Sequence, residues 1–233
     1  MSIRENLQKV RERIETAAAR AGRAPGAVRL VAVSKTQPAE AVREAYEAGQ
    51  RLFGENYAQE LRDKANLLAD LPDLQLHFIG RLQRNKAKYV APLASMMESL
   101  DDLGLARELD KRAAAVGRLL PVLVEVNLGE EQKGGVPEGE VESFVGQVRA
   151  MGGLRLDGLM CIPPFSDDPE HSRPYFVRLR ELAEKLGLTV LSMGMSTDYE
   201  VAIEEGATLV RVGTAIFGPR SHRVGGPGRS LGG

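Results

Sequence analysis

The chain has 233 residues, of which 43% are hydrophobic and 27% are charged, and this length is enough to bury one substantial core. Its 31 Lys and Arg residues nearly balance its 32 Asp and Glu residues, so we expect a small-molecule partner and neither nucleic acid nor membrane, both of which attract strongly basic proteins. The single cysteine, Cys161, cannot form an internal disulfide, and the first ten residues are too charged for a signal peptide, so we expect a cytoplasmic protein.

The first predicted element is an amphipathic helix. Four apolar residues recur at helical spacing among Arg and Glu residues: Ile3, Leu7, Val10 and Ile14. This spacing gives a helix one apolar stripe. We therefore expect the helix to pack on the outside of the fold.

Short apolar runs then alternate with helical stretches along the rest of the chain. Eight runs are rich in Val, Ile and Leu, and each is followed by a helix or a helical turn. The predicted strands are 29–34, 51–54, 74–80, 95–99, 121–127, 154–162, 189–195 and 208–213. The predicted helices between them are 38–49, 56–69, 84–91, 103–116, 139–151, 171–187 and 197–205.

This alternation predicts an α/β fold with a parallel sheet, because parallel strands need a connecting crossover. Eight units predict a (β/α)₈ TIM barrel in a single domain, with the amino-terminal helix as an addition. An open doubly wound sheet is the alternative, but KTQP follows the first strand where that fold has a G-x-G-x-x-G turn. We expect residues 1–218 to form the barrel and the Gly- and Arg-rich residues 219–233 to form a flexible tail.

Lys35 follows the first predicted strand directly. The carboxyl ends of barrel strands form the face on which barrel enzymes build their active sites, and partial burial favours the free amine that attacks carbonyl carbon. However, most lysines are surface residues. Position alone therefore favours a lysine that merely begins a solvated loop.

The last two predicted strands end in residues suited to phosphate. Ser196, Gly213 and Thr214 offer hydroxyl and backbone N–H groups where barrels frequently bind phosphate. A structural explanation is that Ser196 or Thr197 caps the helix 197–205 while Gly213 ends a strand. Both can hold together, because a capped helix start still attracts an anion.

Arg211 interrupts the apolar run TLVRVG, where an unpaired buried charge would be costly. It either pairs with a carboxylate such as Glu55 or Glu125 for structural reasons, or contacts the ring or phosphate of a ligand. The sequence leaves both interpretations open. Cys161 has no cysteine or histidine at metal-ligand spacing, and the histidines are scattered, so we predict no metal site.

Six stretches between about Arg4 and Gly218 together resemble the pyridoxal phosphate homeostasis protein family. They are LVAVSKTQP, FGENYAQE, LHFIGRLQRNK, VEVNLGEEQKGG, GLMCIPP and LSMGMSTDYEVAIEEGATLVRVGTAIFG. The resemblance implies a fold-type III barrel, similar to the amino-terminal domain of alanine racemases, that holds pyridoxal 5′-phosphate as a Schiff base on Lys35.

The resemblance also implies which residues hold the cofactor. The implied set is Lys35, Asn56, His77, Ser196, Arg211, Gly213 and Thr214. Within it, Arg211 would face the pyridine nitrogen, and Ser196, Gly213 and Thr214 would hold the phosphate. Five further residues would line the pocket, namely Ile79, Gly80, Met160, Met193 and Met195.

The implied function is intracellular vitamin B6 homeostasis by a monomer that holds the cofactor and delivers it to apo-enzymes. An arginine at the ring nitrogen disfavours a protonated pyridine, so the ring is a poorer electron sink than one paired with a carboxylate. We also expect no second domain to close the site, so turnover should be weak. The alternatives are a weak or specialised amino-acid racemase and, less favoured, a sugar-phosphate lyase that uses Lys35 itself.

Overall fold

A computed structural model describes residues 2–129 and 134–218. The strands are β1 (Arg29–Val33), β2 (Leu52–Glu55), β3 (Gln75–Phe78), β4 (Met96–Leu100), β5 (Leu120–Asn127), β6 (Val136–Pro137), β7 (Leu154–Met160), β8 (Val190–Ser192) and β9 (Leu209–Val212). The helices are α1 (Ile3–Arg20), α2 (Ala39–Glu47), α3 (Ala58–Leu67), α4 (Ala87–Val90), α5 (Leu103–Ala115), α6 (Val141–Arg149), α7 (Arg173–Leu186), α8 (Tyr199–Glu204) and α9 (Thr214–Phe217).

Eight parallel strands close into a barrel. The order β4-β3-β2-β1-β9-β8-β7-β5 is completed by pairing between β4 and β5, so no barrel strand is left at an edge. The two-residue strand β6 pairs with β5 beside the barrel. The prediction of a TIM barrel is confirmed, and the open sheet is excluded.

Several elements differ from their predicted boundaries. The predicted helix 84–91 is a 3₁₀ turn, Arg84–Lys86, followed by one α-helical turn in α4. The predicted helix 197–205 begins two residues later, at Tyr199. Strand β6 was not predicted at all, because two residues ending in a proline carry no periodic pattern.

The side chains of the barrel strands divide into an inner and an outer set, because successive residues of a strand point to opposite faces. The inner apolar set consists of Val31, Leu52, Met96, Leu123, Met160 and Leu209. The outer set packs with the helices in a larger cluster that includes Phe53, Phe78 and Phe176. The interior of the barrel is therefore a packed core.

Helix α1 packs on the outside of the barrel, as the sequence predicts. Its first turn is fixed by a capping box in which the Ser2 hydroxyl accepts from the Glu5 N–H and the Glu5 carboxylate accepts from the Ser2 N–H. The apolar stripe of α1 is buried, and the helix packs against α2, α8 and α9. The Asn6 side-chain amide also donates to the Ile216 carbonyl of α9 at 2.9 Å.

Gly158 is required by the close pairing of β7 with β8. A Cβ atom at this position would lie 2.6 Å from the carbonyl carbon of Val190. We expect Gly158→Ala to lower the free energy of unfolding by about 1–3 kcal/mol through overpacking. Gly146 of α6 is the matched control, since a Cβ atom there would meet nothing within 4 Å, and Gly146→Ala should be neutral or stabilising by up to about 1 kcal/mol. Urea unfolding of both variants checks this, and equal midpoints would contradict it.

Candidate functional site

Lys35 lies at the mouth of the barrel, where all the strands present their carboxyl ends. The ladder between β1 and β2 continues one residue past β1, through a 3.0 Å hydrogen bond from the Ser34 N–H to the Gly54 carbonyl. Val31 faces the interior and Ala32 the helices, and Ser34 contacts Lys64 of α3 on the helix side. Lys35 follows Ser34 at this end of the barrel and is half-buried.

Neighbouring strands bring two more predicted residues close to this point. Asn56 follows β2 and is half-buried, and its backbone packs so tightly against Gly80 that a Cβ atom there would lie 2.7 Å from the Asn56 Cα. On the other side of β1, a Cβ atom at Gly213 would lie 3.1 Å from the Val33 carbonyl oxygen. The mouth thus brings Lys35, Asn56 and Gly213 together.

The end of β8 contributes Ser196, which is half-buried, and the end of β9 contributes Thr214, which is exposed at the start of α9. The prediction that Ser196 or Thr197 caps α8 is wrong, because Asp198 occupies the N-cap position of that helix. The Asp198 carboxylate accepts from the Met195 N–H and from the Ser172 hydroxyl, both at 2.7 Å. Capping is therefore not the role of Ser196 or Thr197.

A buried polar network crosses the interior below the mouth. Arg211 donates to the Ser192 hydroxyl at 2.5 Å and to the Cys161 carbonyl at 2.9 Å. Ser192 in turn donates to one oxygen of Glu98 at 2.5 Å, while the ring nitrogen Nδ1 of His77 lies 2.6 Å from the other. Because these four strand side chains are fully or almost fully buried, their polar groups depend on one another for partners.

Arg211 does not form either of the carboxylate pairs that the structural interpretation named. Glu55 is bonded to Lys64 and Ser34 instead, and Glu125 is not among the hydrogen-bond partners described for Arg211. Burial, and then repulsion by Asp101, raise the pKa of Glu125 despite the charges of Arg211 and Arg81.

Glu98 carries the negative charge of this network, in direct contact with His77 and linked to Arg211 through Ser192. Burial on its own would raise the pKa of Glu98, but the hydrogen bond and charge of His77, the charge of Arg211 and the Ser192 hydroxyl together lower it. Glu98 is therefore an ionised group at neutral pH in the centre of the barrel.

Lys35 sits in a tight turn that a second buried network supports. The Gln37 N–H donates to the Ser34 carbonyl at 3.0 Å, and Thr36 has φ 65°. A turn closed by this hydrogen bond, with positive φ at its second central residue and not at its first, is a type II turn. Lys35 is its first central residue. A β-branched residue with positive φ costs about 1–3 kcal/mol, so the surroundings must enforce this conformation.

The surroundings of this turn are two carboxylates and a lysine from β2 and α3. The Lys64 ammonium donates to the Ser34 carbonyl at 2.6 Å, to Glu55 at 2.7 Å and to Glu60 at 2.9 Å. The Thr36 N–H donates to Glu60 at 2.7 Å. Lys64 is 4% exposed and Glu55 fully buried, and burial raises the pKa of Glu55 despite the charge of Lys64.

Two predicted pocket residues lie away from the mouth. His77 belongs to the interior network and lines a cavity of about 430 Å³ at the amino ends of the strands, together with Arg29, Gln75 and Thr208. Met193 packs in the outer cluster between strands and helices, so its predicted place in the pocket is wrong. The predicted tail 219–233 lies outside the described residues.

Four residues of these networks were not predicted from the sequence, namely Glu98, Ser192, Glu60 and Lys64. Glu98 could have been found, because it interrupts the apolar run SMMES as Arg211 interrupts TLVRVG. Glu60 and Lys64 resemble the surface charges of any amphipathic helix. Among residues 2–129 and 134–218, no cluster of three potential metal ligands occurs, and no helix is long and apolar enough to cross a membrane.

Solved structures share this fold. PipY of Synechococcus elongatus, solved with PLP bound, has 38% identity and a TM-score of 0.82 and covers 93% of this chain and 100% of its own. Alanine racemase of Bartonella henselae, with covalently bound pyridoxal phosphate, has 16% identity and a TM-score of 0.73, and the match spans 95% of this chain but 60% of the racemase. The likeness to the racemase shows the fold alone.

Sequence relatives extend over the full chain. The family model for the alanine racemase N-terminal domain matches residues 5–221. The pyridoxal phosphate homeostasis protein of Aquifex aeolicus is 46% identical, over 95% of this chain and 100% of its own. The homeostasis protein of Pseudomonas aeruginosa is 47% identical, over 95% and 97% respectively. The chain therefore belongs to the pyridoxal phosphate homeostasis protein family.

Proposed function

We propose that this protein binds pyridoxal 5′-phosphate as a Schiff base on Lys35, and that as a cytoplasmic monomer it holds the cofactor and releases it to apo-enzymes. The observation that carries the proposal is the position of Lys35 at the barrel mouth, beside Asn56 and Gly213. PipY, 38% identical, was solved with PLP bound.

The residues at the mouth fit this cofactor. Bound pyridoxal phosphate supplies an aldehyde, an aromatic ring with a nitrogen, and a phosphate. Lys35 supplies the primary amine for the aldehyde. Thr214 and Ser196 supply hydroxyl groups, and the first N–H groups of α9 have no acceptor within the helix. Gly213 lets this segment lie close to β1, since a Cβ atom would meet Val33.

Arg211 supports a holding role over catalysis. Its guanidinium is fixed by Ser192 and by the Cys161 carbonyl, and an arginine always remains protonated. At the ring nitrogen, Arg211 would donate a hydrogen bond and would not pass on a proton. Carbanion chemistry, which a racemase requires, is therefore disfavoured.

The test is absorbance of the Schiff base followed by borohydride reduction and peptide mass analysis. Wild-type protein should give the long-wavelength band and a reduced adduct on the Lys35 peptide, and Lys35→Ala should lose both. Lys185→Ala, at an exposed position in α7, is the control and should keep both. Absence of the band in wild type, or a reducible adduct in Lys35→Ala, would show that the proposal is wrong.

Two further experiments distinguish a protein that holds and releases the cofactor from an enzyme that uses it. Protein loaded with the cofactor should activate an apo-enzyme that needs pyridoxal phosphate, and Lys35→Ala treated in the same way should not. Loss of α-deuterium from alanine should be no faster than with the free cofactor. Exchange far above that background would favour the racemase alternative.

A further inference from the structure

We propose that Glu60 is a positioning residue that aims Lys35 by holding the Ser34–Gln37 turn in its type II form. This inference deepens the proposed function and rests on it for its binding measurement. Glu60 lies on α3 and accepts from the backbone N–H of Thr36, the residue next to Lys35.

The sequence of the turn disagrees with its conformation. A type II turn needs positive φ at its second central residue, and glycine or asparagine normally stands there. This turn has Thr36, with φ 65°, which is the sole non-glycine residue with positive φ in the described parts of the chain. A threonine prefers the type I form, so an outside contact must hold the type II form.

Glu60 makes that contact. The two turn types differ by a flip of the central peptide, here the one between Lys35 and Thr36, and the flip reverses the direction of the Thr36 N–H. In this structure the N–H meets the Glu60 carboxylate at 2.7 Å. A hydrogen bond from an N–H to an ionised acceptor is stronger than one between neutral groups, and it exists only in the type II form.

Lys64 fixes the position of that carboxylate. Its buried ammonium bonds Glu60 at 2.9 Å and, at the same time, the Ser34 carbonyl at 2.6 Å. The first and third residues of the turn are thus held by one ion-paired group from α3. Lys35 lies between them, so these contacts constrain the direction of its Cα–Cβ bond through the backbone.

The experiment compares wild type with Glu60→Ala, Thr36→Gly and the double variant. Glycine takes positive φ without strain, so Thr36→Gly removes the need for Glu60. We expect Glu60→Ala to weaken pyridoxal phosphate binding, read from the Schiff-base band, about tenfold, which is about 1.4 kcal/mol. Thr36→Gly should bind like wild type, and Glu60→Ala with Thr36→Gly should return to within about threefold of wild type. Gln59→Ala, on the exposed neighbour of Glu60, is the control and should change nothing.

A second readout needs no cofactor. In a type II turn the Lys35 Hα lies close to the Thr36 amide proton, and in a type I turn it does not. The corresponding nuclear Overhauser effect should be strong in wild type, weak in Glu60→Ala and strong again in the double variant. The inference is overturned if Glu60→Ala keeps the strong effect, or if Thr36→Gly fails to rescue binding. If wild-type protein forms no Schiff base at all, the proposed function fails while the turn measurement still decides the role of Glu60.

Discussion

Replacing Lys64 with methionine should lower the free energy of unfolding by about 3–5 kcal/mol at pH 7, because it leaves the buried Glu55 carboxylate without its counter-ion. Lys64 donates to Glu55 at 2.7 Å, both side chains are almost or fully buried, and the second oxygen of Glu55 is buried without a hydrogen-bond partner. Methionine has a similar length and flexibility, so loss of packing contributes little. Urea unfolding measures the effect.

The loss of stability in Lys64→Met should become smaller as the pH falls. Burial raises the folded-state pKa of Glu55 above its ordinary value of 4.5. Between these two pKa values, the folded protein binds a proton on Glu55 that the unfolded chain does not. The cost of the ionised carboxylate is therefore complete above the raised pKa and shrinks as the pH falls toward 4.5. Lys64→Met should recover stability relative to wild type on acidification.

Two variants control this prediction. Lys185→Met breaks an exposed pair with Glu142 and should cost at most about 1 kcal/mol. Adding Glu55→Gln to Lys64→Met removes the unpaired charge and should restore most of the loss at pH 7. An equal loss in Lys64→Met and Lys185→Met would contradict the account of a buried ion pair.

Arg211→Met should have a loss of similar size, about 3–5 kcal/mol at pH 7, because it leaves the buried Ser192 hydroxyl and Cys161 carbonyl without the guanidinium that donates to them and removes one of the positive charges that favour ionised Glu98. The pKa of Glu98 is shifted in the opposite direction to that of Glu55. Its folded-state pKa is lowered, so its interactions stabilise wild type above pH 4.5, and this stabilisation is lost as the pH falls through the lowered value. The difference between wild type and Arg211→Met should therefore narrow in acid.

Arg155→Met provides the comparison, since Arg155 also lies on a barrel strand and pairs with Asp157, but 55% of its side chain is exposed. Its effect should not exceed about 1 kcal/mol. Thermal or urea unfolding of wild type and both variants, at pH 7 and below pH 4.5, measures these differences in stability. If Arg211→Met is as stable as Arg155→Met, Arg211 does not stabilise the buried network of Ser192 and Glu98.

The barrel could be predicted because its pattern is local. Each strand is a short apolar run and each helix an amphipathic stretch, so eight repeats identify the fold even where boundaries differ by a few residues. Lys35 and Gly213 could be placed for the same reason, since each lies within two residues of the end of its strand and parallel strands end on one face.

The partners of these residues could not be predicted, because they depend on register between distant segments. Ser192 and Glu98 are 94 residues apart, and nothing in the run LSMGM indicates that its serine faces a carboxylate. The type II turn is also hidden, because Thr36 is a residue that ordinarily avoids positive φ. Local preference fails at this site because a tertiary contact overrides it.

The position of α1 has a consequence for how the protein is made. A domain generally folds as a unit, and α1 is synthesised long before the helices α8 and α9 against which it packs. The Asn6 side chain cannot form its hydrogen bond until Ile216, 210 residues further along, has been synthesised. A nascent chain that has not yet produced β9 presents Lys35 without Gly213 beside it. If Gly213 and Thr214 hold the cofactor as proposed, we expect a chain that lacks them to bind it more weakly than the full chain.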